Sequence, residues 1–230
     1  MRKYLFTWLA TVPLTACVIV ADGGGHHAYA AGSGDTMTET RPLPGFSQIE
    51  SSRGVIVTVS CGATPQAVLS GPSEEVRDME LEVHSGTLVV RRGSNHDHGR
   101  YPVRVDLTAP GPLDRLEAGS GSSLSVPSCA MSSERIRLDA HSGADIKVAG
   151  NARSINAEAS SGASIMPLRG ARLDGGSAKV SASSGGTVRI CAAGRLDASA
   201  SSGGSIASES AGQGDRSSHS GGSIETRSCS

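Results

Sequence analysis

The chain has 230 residues, with 21 Lys and Arg against 22 Asp and Glu, and aromatic residues make up only 3% of it. This length allows one large or two small domains. Nucleic acid binding is disfavoured, because the sequence lacks the clustered Lys and Arg that neutralise phosphates. Only Tyr29, Phe46 and Tyr101 among the aromatic residues lie beyond residue 16, so the core must be built from Ile, Val, Leu and Ala.

The first segment predicts an export signal. Arg2 and Lys3 precede an apolar stretch of 13 residues, YLFTWLATVPLTA, which is shorter than the roughly 20 residues of a membrane-spanning helix. Two processing sites remain open. LTAC at residues 14–17 is typical of a bacterial lipobox, in which signal peptide 1–16 is removed and Cys17 is lipidated. AYA at residues 28–30 is typical of ordinary signal cleavage after residue 30.

The next segment predicts a flexible tether. Residues 17–40 are rich in Gly, Ala, His, Ser and Thr and hold little apolar surface to bury. The tether would join a lipid-anchored Cys17 to a folded domain at 41–230. We therefore expect an exported protein attached to the membrane through its lipid anchor, at the outer membrane or in the periplasm.

Residues 41–109 predict ordinary β structure. Val55, Val57 and Val59 alternate along one strand, and QAVLSG and YPVRVDLTAP predict further strands. MELEVHSGTLVVRR predicts two strands that meet at Ser85-Gly86. The loop NHDHG at residues 95–99 would need a third ligand to hold a metal ion, and a solvated turn is the alternative. We predict neither a metal nor a cofactor.

A Ser-Gly repeat begins after residue 113. Its six glycines follow one another at spacings of 18 to 23 residues: Gly121, Gly143, Gly162, Gly185, Gly203 and Gly221. A period near 20 residues is typical of a solenoid. Ala commonly lies three residues before each glycine, and Leu, Ile or Val lies three residues after it. This period-two alternation predicts inward and outward faces on both sides of a glycine corner.

The repeat predicts an all-β fold, a single-stranded β-solenoid or β-helix-like domain. Each unit is too small to bury its own apolar face, so neighbouring units must stack. Low-complexity disorder is the alternative, because Gly, Ser and Ala dominate the segment. In the last repeat, Arg216 and Ser218 replace apolar and Ala positions, which predicts a polar cap or a frayed tail.

The cysteines favour disulfides. Four remain beyond Cys17: Cys61, Cys129, Cys191 and Cys229. None shows the C-x-x-C spacing of a zinc or thioredoxin-like site. An even number in an exported protein allows three pairings. We favour Cys61–Cys129 with Cys191–Cys229, and free buried thiols are the alternative.

Three stretches together resemble a known family. They are RPLPGFSQIESSRGVIVTVSCG, VRDMELEVHSGTLVVR and the Ser-Gly repeats, which span about residues 41–226. They resemble the head GIN domain family, also called the putative auto-transporter adhesin family. The resemblance implies an elongated, right-handed β-helix-like fold, export and often lipid anchoring, and it implies no reaction.

We expect a non-catalytic protein of the cell envelope with a structural, adhesive or binding role, whose ligand is an envelope glycan or a protein. The alternative is a carbohydrate-binding or polysaccharide-lyase-like β-helix, an analogy from fold alone. We predict no catalytic residue. The serines recur because the corner geometry repeats, and His141 and His219 stand at exposed corners rather than beside an activated serine.

Overall fold

A computed structural model describes residues 35–93, 101–209 and 213–227. The predicted lipid site Cys17, the cleavage site after residue 30, the NHDHG loop and Cys229 lie outside these residues. The elements are β1 Thr36–Pro42, β2 Gln48–Ser51, β3 Ile56–Cys61, β4 Gln66–Pro72, α1 Ser73–Arg77, β5 Met79–His84, β6 Thr87–Arg92, β7 Arg104–Ala109, β8 Arg115–Ala118, β9 Ser123–Val126, a 3-10 turn Ser128–Ala130, β10 Arg135–Ala140, β11 Asp145–Val148, β12 Gly150–Ala159, β13 Ser164–Pro167, β14 Leu173–Ala182, β15 Thr187–Ile190, β16 Ala192–Ser201, β17 Ser205–Ser208, β18 Arg216–His219 and β19 Ser223–Thr226.

The strands form two sheets, which are the two walls of a coil. Sheet A has the order β1-β4-β7-β3-β9-β11-β13-β15-β17-β19, and sheet B has the order β18-β16-β14-β12-β10-β8-β2-β6-β5. From β8 onward, each strand of sheet B leads through a Ser-Gly corner into a strand of sheet A. Strands of successive turns are parallel and in register. The predicted β-solenoid is confirmed, with about five turns.

Stacked apolar columns form the core. The residues three places after the corner glycines lie in register in sheet A and are 0% exposed: Leu124, Ile146, Ile165, Val188 and Ile206. The alanines three places before those glycines line sheet B and are also buried. Burying one Ile or Leu side chain contributes roughly 1.5–3 kcal/mol. The stability of each turn therefore depends on the turns above and below it.

One rung, meaning one strand of sheet B with the strand of sheet A that follows it, lies out of chain order. β2 pairs with both β6 and β8, and β3 pairs with both β7 and β9. Residues 48–61 therefore sit between residues 87–109 and residues 115–126 in the stack. Repeats read along the chain do not reveal this insertion.

A disulfide secures the inserted rung. The predicted Cys61–Cys129 bond is confirmed, with its Cα atoms 6.3 Å apart across 68 residues of sequence. It joins the end of β3 to the 3-10 turn that follows β9. Cys191 is also disulfide-bonded. Its partner lies outside the described residues, so the Cys191–Cys229 pairing stays a prediction.

The N-terminal end of the stack is closed by antiparallel strands and by α1. β1 pairs with β4 and β4 with β7, while β5 pairs with β6. Arg41 on β1 donates hydrogen bonds to the carbonyls of Met79 at 2.6 Å and Val76 at 3.1 Å, and it pairs with Glu39. A charged side chain that points inward from an edge strand, as Arg41 does on β1, discourages that strand from pairing with another chain. β1 begins at Thr36, so the fold starts before residue 41.

A buried ion pair supports this closed end. The Nη1 atom of Arg92 lies 3.3 Å from Oε2 of Glu75 on α1, and both side chains are nearly inaccessible to solvent. Arg92 also donates a hydrogen bond to the Tyr101 carbonyl at 2.7 Å, and its own carbonyl accepts one from Arg53 at 2.6 Å. An unpaired buried charge is costly. The ion pair therefore holds α1 against the rung formed by β6 and β7.

The other end of the stack has a polar rung. All four residues of β18 are exposed, and Ile224 of β19 is only partly buried against the core. β18 and β19 nevertheless pair in register with β16 and β17. Within residues 213–227, the last repeat is therefore a further rung rather than a frayed tail.

Candidate functional site

The Ser-Gly corners share one backbone geometry. From Ser120-Gly121 to Ser220-Gly221, the serine φ lies between 49° and 55° and the glycine φ between 71° and 79°. The amide after each glycine donates to the carbonyl before each serine, as from Gly204 to Ser201 at 2.8 Å. Two positive φ values with this hydrogen bond define a type I′ turn. The glycine corners were predicted from the sequence, whereas the positive φ of the serines was not.

Backbone hydrogen bonds join the corners into a column along one edge of the solenoid. Each glycine amide donates to the serine carbonyl of the next rung: Gly121 to Ser142, Gly143 to Ser161, Gly162 to Ser184, Gly185 to Ser202 and Gly203 to Ser220, at 3.0 to 3.3 Å. Arg53-Gly54 begins the column, because Gly54 donates to Ser120 at 3.0 Å. This corner lacks the Ser-Gly signature, because an arginine replaces the serine, and it was therefore not predicted from the sequence. The column is structural, since its polar backbone groups are used internally.

The outer surface of sheet B, which we call the charged face, carries two adjacent columns of side chains. Register places four carboxylates on successive rungs: Glu50, Glu117, Asp139 and Glu158. Beside them, Arg115 and Arg137 are register partners on β8 and β10. Strands in a sheet lie about 4.8 Å apart, so each column alone would suffer repulsion between like charges.

Ion pairs between the columns offset that repulsion. Arg115 lies 2.7 Å from Glu117, and Arg137 lies 2.7 Å from Asp139. The same motif, Arg-Leu followed by Asp or Glu, recurs at residues 172–174 and 195–197, with pairs at 3.1 and 2.9 Å. These two pairs stand outside the columns, because serines continue the carboxylate column on the later rungs. The leucine between each pair is buried. The motif was not among the sequence predictions, although opposite charges two residues apart around an apolar leucine are visible in the sequence.

The surroundings of Arg137 and Asp197 favour their ionised forms. The hydrogen bond and charge of Asp139 raise the pKa of Arg137. The Asp215 amide, followed by Arg195, lowers the pKa of Asp197. Both shifts move the titration away from neutral pH, whereas general acid–base catalysis needs a pKa near the working pH. These groups suit the binding of charged or polar partners rather than proton transfer.

His141 stands beside a serine and a carboxylate, the residue types of a catalytic triad. Its Nδ1 atom lies 3.3 Å from Oγ of Ser142, and its Nε2 atom lies 3.7 Å from Oε1 of Glu117. The second distance exceeds a hydrogen bond, and the imidazole side chain is 46% exposed. A general base is held more tightly by its orienting carboxylate. His141 therefore belongs to the charged surface.

In residues 35–93, 101–209 and 213–227, no group of three or more His, Cys, Asp or Glu is placed to hold a metal ion. Over the same part of the chain, no helix has the length and apolar character needed to cross a membrane.

The fold and the repeating surface define the class of this protein: a β-solenoid whose stacked rungs present extended polar faces. The family follows from sequence. A family model described as putative auto-transporter adhesin, head GIN domain, matches residues 45–211, so the chain belongs to that family. The predicted resemblance is confirmed.

The chain is similar to solved structures at low sequence identity, and the structure from Bacteroides fragilis shares its fold. A putative adhesin from Bacteroides fragilis is 14% identical, with a TM-score of 0.63, over 84% of this chain and 97% of that chain. A putative adhesin from Parabacteroides merdae is 14% identical, with a TM-score of 0.48, over 85% and 98% of the two chains. A putative lipid binding protein from Parabacteroides distasonis is 13% identical, with a TM-score of 0.46, over 85% and 98%. No curated protein matches the chain.

Proposed function

We propose that the protein is exported, lipidated at Cys17 and held in the cell envelope, where it binds or adheres through the charged face without catalysing a reaction. The observation that carries this proposal is the charged face itself, where ion pairs stack on two successive rungs beside a column of four carboxylates. Membership of an adhesin family supports a binding role. The Cys61–Cys129 disulfide supports an oxidising compartment outside the cytoplasm.

The shape of the charged face favours an extended partner. Side chains repeat along the solenoid axis about every 4.8 Å, and opposite charges stand side by side. The arginines of the two pairs are 44% and 49% exposed. Ion pairs at the surface contribute only about 0–1 kcal/mol each to stability, so a ligand can take the place of an arginine at little cost to the fold. An envelope glycan or another protein surface, contacting several rungs at once, fits this arrangement.

The anchor is tested by metabolic labelling with radioactive palmitate in a bacterial host. We expect label on the wild-type chain and none on Cys17→Ala, and we expect the wild type to fractionate with membranes. Label that survives Cys17→Ala would contradict lipidation at this residue. Cleavage after residue 30, read by mass spectrometry of the mature N-terminus, would also contradict it.

The binding face is tested by paired substitutions. Arg115→Ser with Arg137→Ser removes two cations from the charged face, and Lys147→Ser with Arg189→Ser removes two from the outer surface of sheet A as the control. Binding to a panel of envelope polysaccharides and to whole cells is then measured. We expect at least a tenfold loss for the first variant, since each lost charged contact costs about 1–2 kcal/mol, and little change for the control. Equal losses would contradict the assignment, and polysaccharide cleavage would contradict the non-catalytic role.

A further inference from the structure

The Cys61–Cys129 disulfide lies where one strand ladder ends. β3 pairs with β7 along its whole length, but it pairs with β9 only over Ile56–Thr58. On the β9 side, the last three residues of β3 have no adjacent strand within the described chain. At this point β3 is joined to the 3-10 turn after β9 by a covalent bond instead of by strand pairing.

The two half-cystines are accessible. Both are exposed, although their neighbours Val59 and Ala130 are only 4% and 1% exposed. Thiolates in solution attack accessible disulfides by exchange. Cys191 provides a contrast inside the same chain, because it is disulfide-bonded yet 0% exposed.

Other contacts hold both segments independently of the disulfide. The Gly62 amide donates to the Ala109 carbonyl at 3.1 Å, which keeps the end of β3 on β7. The Leu113 amide donates to the Ala130 carbonyl at 2.7 Å, and the Ser132 amide donates to the Leu113 carbonyl at 2.8 Å. The rungs on either side of the disulfide therefore keep their hydrogen bonds when the covalent link is broken.

We propose that Cys61–Cys129 is a redox-sensitive latch, which a dithiol in the surroundings opens while the solenoid stays folded. One thiolate of the dithiol attacks a sulfur of the latch, so the S–S bond breaks and a mixed disulfide forms. The second thiol resolves it. The dithiol is oxidised to its own disulfide, and its two protons pass to Cys61 and Cys129, which are released as thiols.

Opening the latch changes the surface locally. The backbone edge of residues 59–61 on the β9 side is then no longer tied to the 3-10 turn, and two thiols appear beside it. A strand edge without a neighbouring strand can pair with another extended segment. The redox state of the surroundings thus sets whether this edge is tied to the turn, independently of any ligand on the charged face.

The test uses the full oxidised chain without denaturant. Dithiothreitol is added at increasing concentration, free thiols are alkylated with iodoacetamide, and the modified peptides are identified by mass spectrometry. Far-UV circular dichroism follows the strands in parallel. We expect Cys61 and Cys129 to be alkylated at a rate proportional to dithiothreitol concentration, with an unchanged spectrum and no alkylation of Cys191. Faster amide exchange should be confined to residues 59–61 and 128–129, while the Gly62 amide stays protected by its hydrogen bond to Ala109.

Three results would overturn the proposal: a labelling rate independent of dithiothreitol concentration, loss of the β-strand spectrum on reduction, or equal alkylation of Cys191. Each would mean that the disulfide opens only when the solenoid unfolds. The double variant Cys61→Ser, Cys129→Ser gives a second readout. It should reproduce the exchange pattern of the reduced chain, and a variant that cannot fold would contradict the proposal equally.

Discussion

The backbone amide of Gly143 donates a 3.0 Å hydrogen bond to the carbonyl of Ser161, the corner serine of the next rung. This bond exists because Ser142 and Gly143 both adopt positive φ, at 55° and 71°. The turn directs the amide along the solenoid axis, where the next corner presents its carbonyl. Local backbone conformation and stacking of the rungs therefore depend on each other.

Substituting a corner glycine should destabilise the protein through backbone strain alone. Gly162 has a φ of +74°, and nothing lies within 4 Å of the Cβ that alanine would add. We expect Gly162→Ala to lower the free energy of unfolding by about 1–2 kcal/mol, measured by urea denaturation. The control is Ser160→Ala, a neighbouring surface position that should change it by no more than about 0.5 kcal/mol. Equal effects would argue against the strained turn.

Asparagine at a corner serine should be tolerated. Asn adopts the left-handed region several times more readily than most residues, and Ser161 lies there with a φ of 54°. We therefore expect Ser161→Asn to keep or slightly raise the midpoint of thermal unfolding, and Ser161→Val to lower it. If Val proved as well tolerated as Asn, positive φ would not govern this position.

The solenoid was predictable from the sequence because each repeat holds both the glycine of a corner and the apolar residues that point into the core. Glycine marked the turn, while residues such as Ile146 and Ile165 marked the inward face three places later. The inserted rung was not predictable in this way, since the pairing of β2 with both β6 and β8 depends on contacts far apart in the chain. α1 was also missed, because its five residues are too few to show a helical period.

The charged face was predictable only in part. The strand alternation implied outward positions for Glu117 and Asp139, but their stacking follows from the register of β8 on β10. That register depends on the spacing between repeats, which varies from 18 to 23 residues. The extra residues of the longer repeats lie in connections such as the 3-10 turn, outside the paired strands. A single sequence does not reveal which residues belong to the connections and which to the strands.

Shortening an apolar side chain of the core should lower the free energy of unfolding most in the middle of the stacked column. Ile165 is 0% exposed between Ile146 and Val188, whereas Ile224 is only partly buried on the last rung. We expect Ile165→Ala to lower the free energy of unfolding by about 2–5 kcal/mol. Ile224→Ala should cost about 1 kcal/mol, since less apolar area is lost. Chemical denaturation of both variants measures the difference, and a reversed order would contradict the stacked column.

Acid should weaken the last turns through Asp197. The Asp215 amide at 3.0 Å and Arg195 lower the pKa of Asp197 below its ordinary value of 3.8. Because the folded-state pKa is the lower one, the stabilisation is complete above about pH 4 and is lost as the pH falls through the folded-state pKa. Urea unfolding between about pH 2 and 6 should show a weaker pH dependence for Asp197→Asn than for the wild type. The matched control is Asp106→Asn, an exposed position on β7, and an identical change there would contradict this role for Asp197.

The central claim is that parallel rungs stack in register, with one inward residue of each rung contacting the next. Methyl-labelled NMR tests it directly, because nuclear Overhauser effects report methyl pairs that lie close together. The account predicts cross-peaks between Ile146 and Ile165, between Ile165 and Val188, and between Val188 and Ile206. It predicts none between Ile146 and Ile206, which are three rungs apart. Missing peaks between neighbours, or a strong peak between Ile146 and Ile206, would contradict it.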